Sequence, residues 1–156
     1  MKTFTLERSS FLPHPIDQVF GFFAQAQNLE SLTPPLLRFQ ILTPLPIDMH
    51  QGTLIDYRLR VHGIPLRWRS EITAWDPPHR FIDEQLRGPY RRWVHEHRFT
   101  EVDGGTQVVD HVQYAVLGGS LIRRLFVAPD LQRIFDYRQE RLPGLFDAWL
   151  ASGGSA

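Results

Sequence analysis

His95 and His97 stand one residue apart, the spacing in this 156-residue chain that points most directly to chemistry. On a β-strand that spacing aims both imidazoles to one side. Such a pair can hold a divalent metal if carboxylates join it, move protons as general acid and base, or orient a polar group of a ligand. Asp83 and Asp110 are the carboxylates that period-two counting puts on the same side of neighbouring strands. Arg138 completes the charged set. Its planar fork suits a ligand carboxylate or phenolate, and serves equally well in an ion pair with Asp83 or Asp110.

Other chemistry is narrowed by what the chain lacks. It has no Cys, which excludes disulfides, thiolate zinc sites and thiol nucleophiles. No nucleophile, base and orienting group read together as a triad. Gly118-Gly119-Ser120 has no following Lys of a phosphate-cradling loop, and reads as a turn with Ser120 capping a helix. The basic block Arg87-Gly88-Pro89-Tyr90-Arg91-Arg92 reads as a solvated hairpin, with contact to an anionic ligand or lipid headgroup as the alternative.

The elements that must position these groups follow from periodicity. A first strand begins near Phe4 and ends before Pro13-His14-Pro15. A helix follows, with Pro15 and Asp17 in its first turn and Val19, Phe20 and Phe23 at helical spacing. A second short helical turn is expected over 28–32, capped by Asn28 and stopped by Pro34-Pro35. From Phe39 the period becomes two, predicting strands over 39–42, 53–61, 66–75, 81–87, 93–101 and 106–115. Short Gly, Pro and Asp separators make them antiparallel hairpins. Leu131, Ile134, Phe135, Arg138, Leu142, Leu145, Phe146 and Trp149 then form the stripe of one long helix, with Pro129 in its first turn and a kink expected at Pro143.

Splitting each strand by face leaves an outer set that is mostly charged, including Arg58, Arg60, Arg67, Arg69, Glu71, Glu84, Glu96 and Arg98. The inner set is aromatic and aliphatic, yet carries Asp83, Gln85, His95, His97, Asp110 and Tyr114. An unpaired buried polar group costs ~1–3 kcal/mol, so these groups either satisfy one another or line a wet cavity. The expected apolar walls are Trp68, Phe81, Trp93, Phe99 and Val112, with Arg138 facing them from the helix. Phe22, Leu121, Ile122, Leu125 and Phe126 are expected to close the mouth or fill the core.

Several stretches resemble the START/Bet v 1-like (SRPBCC) superfamily, and among its members the small bacterial polyketide cyclase/dehydrase-like ligand-binding proteins. They are Asn28-Leu29-Glu30-Ser31-Leu32-Thr33-Pro34-Pro35, Trp75-Asp76-Pro77-Pro78, the run from Phe81 to Tyr90, Trp93-Val94-His95-Glu96-His97, and Ile134-Phe135-Asp136-Tyr137-Arg138. The resemblance spans roughly residues 3–149. It implies an α+β helix-grip fold: a curved antiparallel sheet wrapped around a long C-terminal helix, two short helices after the first strand, and a cavity between. It implies no metal, and no cofactor is expected. The expected organisation is one domain over 1–150 and a flexible Ser/Gly tail over 151–156.

Composition bounds the function. Seventeen basic and seventeen acidic residues cancel, which argues against a general nucleic-acid binder. No apolar run is long enough to span a bilayer, and the N-terminus has no signal-peptide pattern, so no integral membrane association and a cytoplasmic location are expected. The leading expectation is a carrier or binder of a hydrophobic or aromatic small molecule. An enzyme is the alternative, a cofactor-independent cyclase, dehydratase or isomerase using His95 or His97 with Asp110 or Asp83. A protein-interaction module with a vestigial cavity is the third. Ligand identity and oligomeric state are not legible.

Overall fold

The computed structural model describes residues 1–154. Strand β1 covers Phe4–Leu12, followed by helices α1 (Ile16–Phe23) and α2 (Gln27–Ser31) and a 3-10 turn at Pro35–Leu37. Strands β2 (Gln40–Ile41), β3 (Leu54–Val61), β4 (Ile64–Asp76), β5 (Arg80–Arg87), β6 (Arg92–Val102) and β7 (Gly105–Ala115) come next. Helical turns α3 (Gly119–Ile122) and a π-turn at Arg123–Val127 lead directly into α4 (Ala128–Ala151). All seven strands form one antiparallel sheet in the order β1-β7-β6-β5-β4-β3-β2. The fold is the expected helix grip, with β1 returning to pair along β7 from Phe4↔Tyr114 to Leu12↔Thr106.

Local signals account for most boundaries, and the exceptions have physical causes. The β3–β4 turn is only His62-Gly63, both in the left-handed region at φ 49 and 77, so β4 starts at Ile64 rather than Leu66. The strand expected over 39–42 shrinks to two residues. Pro15 is the extended N-cap of α1 rather than a first-turn residue. Asn28 does not cap α2; its side-chain amide donates to the Phe22 carbonyl at 2.7 Å. Nor does Ser120 cap α3, because Gly118 takes the N-cap position at φ 87. Pro129 has no N–H to offer the preceding turn, and the π-turn lies immediately before it. Helix α4 runs unbroken through Pro143, which sits on its exposed side. Of the expected tail, Ala151 is still helical and the Gly154 N–H bonds the Trp149 carbonyl at 2.9 Å; residues 155–156 lie outside the described residues.

The outer face behaves as its composition implies. Arg69 pairs with Asp56, Arg80 with Asp76 and Glu96, and Arg98 with Glu96 and Glu7. The inner face is filled unevenly. Phe20 of α1 meets Trp75, Phe81 and Phe99 at centroid distances of 5.1, 6.0 and 5.3 Å, and Phe22 packs on Phe146 and Trp149 of α4. A second cluster joins Trp93, Val112 and Tyr114 to Leu131 and Phe135 near the start of α4. The aromatic residues of α1 close one half of the grip. The other half has no inserted helix, and there the sheet and α4 stand apart.

Candidate functional site

Between those two packed regions lies a cavity of about 760 Å³, within the size range of small-molecule sites. Trp68, Trp93, Asp83, His95, His97 and Arg138 line it, as the face sorting expects. Tyr57, Leu59 and Ser70 of the sheet, Tyr90 of the β5–β6 hairpin, and Leu131, Ile134 and Phe135 of α4 supply further wall. Leu29, Leu32, Leu36, Leu37 and Phe39 complete it from α2 and the following linker. That last group was missed. The apolar run after Pro34-Pro35 is the available signal, whereas only the prolines themselves enter the sequence reading, as a helix stop.

Six expected wall residues lie elsewhere. Phe99 is taken by Phe20 and Phe23, and Val112 lies within the cluster around Leu131 and Phe135. Phe81 stacks on His97 at 4.1 Å and borders only a small second pocket of about 40 Å³. Gln85 uses its amide to clamp the β5–β6 hairpin, donating to the Tyr90 carbonyl at 2.7 Å and accepting from the Tyr90 N–H at 3.1 Å. The Tyr114 hydroxyl accepts from Arg123 Nε at 3.4 Å. Asp110 is not a wall residue either; it bonds His95 and Arg138. Phe22 is core, while Leu121, Ile122, Leu125 and Phe126 neither close the mouth nor fill the core but stand exposed.

The charged groups do meet. Registers Asp83↔His95 and His97↔Asp110 put the four side chains on adjacent strands of one face. The imidazoles of His95 and His97 stack at 3.7 Å with planes 22° apart. His97 Nε2 is 2.7 Å from Asp83 Oδ2 and His95 Nε2 is 2.8 Å from Asp110 Oδ1. Arg138 Nη2 donates to the same Asp110 oxygen at 3.2 Å. Two carboxylates therefore flank a stacked ring pair, and one guanidinium neutralises part of their charge.

The two rings differ in access. With Nε2–H donating to Asp83, His97 Nδ1 is bare, sealed, and 3.6 Å from Asp110 Oδ1, too far for a hydrogen bond. Burial and then the neighbouring His95 hold its pKa down to about 4, against the pull of Asp83 and Asp110. His95 Nδ1 also lacks a bond in the protein, but it is not sealed, so it is the ring nitrogen of the pair that a cavity ligand can reach. Burial pushes the Asp83 carboxyl up, yet its bond to His97 and the charges of His95 and Arg138 leave it below the ordinary value. Asp110 is held lower still, because Arg138 and His95 together outweigh its burial. The nitrogens of Arg138 not bonded to Asp110 are likewise unsealed.

Asp83, His95 and His97 offer potential metal-ligand atoms within 4.8 Å of one another. The arrangement suits a cation poorly. The stacked rings lie in nearly parallel planes and their Nε2 atoms are each taken by a different carboxylate, whereas one tetrahedral ion needs the nitrogens to converge on it. Arg138 already supplies positive charge there. The cluster reads better as a proton-holding and hydrogen-bonding wall than as a metal centre.

A family model described as "Polyketide cyclase / dehydrase and lipid transport" matches residues 12–143. No curated protein matches the sequence. Among solved structures, the chain is similar to Zhui aromatase/cyclase from a Streptomyces species, with 19% identity over 99% of this chain and 100% of that one and a TM-score of 0.73. Protein TTHA0849 from Thermus thermophilus matches at 25% identity over 97% and 99%, with a TM-score of 0.63. The major latex-like protein 151 of Panax ginseng matches at 11% identity over 91% and 96%, with a TM-score of 0.67.

Proposed function

The chain belongs to the polyketide cyclase/dehydrase and lipid transport family, and from that premise we propose that it binds a hydrophobic, ring-bearing small molecule whose oxygen-bearing end reaches Arg138 and His95. The observation that carries this reading is the polarity gradient of the cavity. Aromatic and aliphatic side chains make up most of the wall, and the few polar groups converge at one place, as a site that orients its ligand requires. The unsealed Arg138 nitrogens suit a carboxylate or phenolate, and His95 Nδ1 suits a hydroxyl. A cavity of about 760 Å³ also speaks against a vestigial one, which the interaction-module reading needs.

Trp68 and Trp93 sit in the wall and report occupancy directly. Titration with the uncharged fluorophore N-phenyl-1-naphthylamine should quench tryptophan emission and raise probe emission with one-site saturation. Organic extraction of protein purified from its own host, followed by mass spectrometry, should identify the natural occupant. Absence of saturable probe binding would contradict the proposal.

A second reading, proton-transfer catalysis of cyclase or dehydratase type, is favoured by one observation: His95 is held by Asp110 through Nε2 while Nδ1 stays accessible. Of the two histidine candidates, that favours His95 for the acid/base role. His95→Gln should then abolish turnover of a bound polyketide-like substrate with probe affinity retained, whereas a binder shows only altered affinity.

A further inference from the structure

A block of arginines without carboxylate partners adjoins the cavity mouth. Positions 88–95 and 111–129 contain no Asp or Glu, but carry Arg91, Arg92, Arg123 and Arg124. Among the described residues, none of these four pairs with a carboxylate, whereas Arg69, Arg80 and Arg98 of the outer sheet face do. The two segments adjoin. The Arg91 N–H bonds the Ala115 carbonyl at 2.9 Å, Arg92 registers with Ala115, and Tyr90 faces Tyr114 at 6.1 Å. Arg123 lies over the Phe4 ring at 4.1 Å, as Lys2 does at 5.3 Å.

Among these cations stand Leu117, Leu121, Ile122, Leu125 and Phe126, each between 40 and 60% exposed. Leu121 and Leu125, and likewise Ile122 and Phe126, are four residues apart on one helical stretch, so they form a single stripe. Clustered exposed side chains of this size mark a docking surface more often than chance. Leu117, with Val116 and Val127 beside the stripe, also lines the cavity, so the patch is continuous with the cavity's opening.

We propose that this patch is a peripheral docking surface for an anionic phospholipid bilayer, which sets the cavity mouth against the membrane. The charge pattern selects the occupant. A second copy placed symmetrically would set unpaired arginines against arginines, whereas an anionic headgroup layer complements them and accepts the leucine and phenylalanine tips. The surface lies outside the polar cluster, so this proposal stands whether or not the cavity holds the ligand class named above.

The test is sedimentation with vesicles of phosphatidylcholine alone and of phosphatidylcholine with one-third phosphatidylglycerol. The protein should bind the anionic vesicles at least tenfold more tightly, and 0.5 M NaCl should release most of it. L121D/L125D should abolish vesicle binding, and R91Q/R92Q/R124Q should weaken it severalfold, with N-phenyl-1-naphthylamine binding unchanged in both variants as a check on folding. Failure of the wild type to bind anionic vesicles overturns the proposal. So does equal binding to neutral vesicles, vesicle binding unaffected by L121D/L125D, or a wild-type dimer in size-exclusion that L121D/L125D dissolves.

Discussion

The inner end of the cavity and its mouth both combine arginine with apolar side chains, in opposite ways. At the inner end Arg138 is buried and every charge has a partner inside the protein: Asp110 meets Arg138 and His95, and Asp83 accepts a hydrogen bond from the uncharged His97 ring. At the mouth Arg91, Arg92 and Arg124 are exposed and answer no carboxylate in the described residues. Burial explains the contrast. A charge removed from water must be compensated inside the protein, whereas an exposed one keeps its hydration and is available to a partner. Substitutions at the inner end should therefore act on folding, and substitutions at the mouth should leave folding alone.

The sharpest challenge to that contrast is Asp110→Ala. It strips His95 and Arg138 of their shared partner and should destabilise the fold by about 3–5 kcal/mol, seen as a large drop in thermal midpoint. A loss below about 1 kcal/mol would mean that the cluster is effectively hydrated. The next largest effect is on pH dependence. Between about 6.5 and 4, unfolded His97 takes up a proton that folded His97 refuses, so stability falls as pH drops through that window by up to about 3 kcal/mol. Asp83 and Asp110, held below their ordinary values, add to the loss only below about 4. Urea denaturation across this range should show that slope, and His97→Phe should flatten it.

Filling the space between the two regions tests it differently. Ile134→Trp projects a larger ring from α4 into the cavity and should lower N-phenyl-1-naphthylamine affinity at least tenfold in a fluorescence titration. Its stability should change by only about 1 kcal/mol, because empty volume rather than packed core receives the ring. The smallest effect belongs to the mouth. Arg124→Gln should move stability by less than about 0.5 kcal/mol by the same denaturation.

Much of the inner end was legible in the sequence because strand alternation is strict. Counting by twos put His95, His97, Asp83 and Asp110 on one face, and helical spacing turned Arg138 toward them. Less legible was which inward residues border space. Phe99 and Val112 point inward like Trp93, but Phe20 and Leu131 cover them, and that depends on how α1 and α4 seat on the sheet. Gln85 was misread because its hairpin partner, the Tyr90 backbone, leaves no mark in side-chain pattern. The stripe of Leu121 to Phe126 reads as mouth closure or core for the same reason: periodicity identifies a face without saying what it meets.

The central claim is that the cavity takes an apolar molecule whose polar end is anchored by Arg138. Comparing two probes in wild type and Arg138→Met tests it most directly, using 8-anilinonaphthalene-1-sulfonate, which carries an anionic group, and uncharged N-phenyl-1-naphthylamine. Loss of the guanidinium should weaken the anionic probe at least tenfold and shift the neutral one by no more than about twofold, a difference of about 1 kcal/mol or more between them. Equal weakening of both probes, or of neither, would contradict an anchoring role for Arg138.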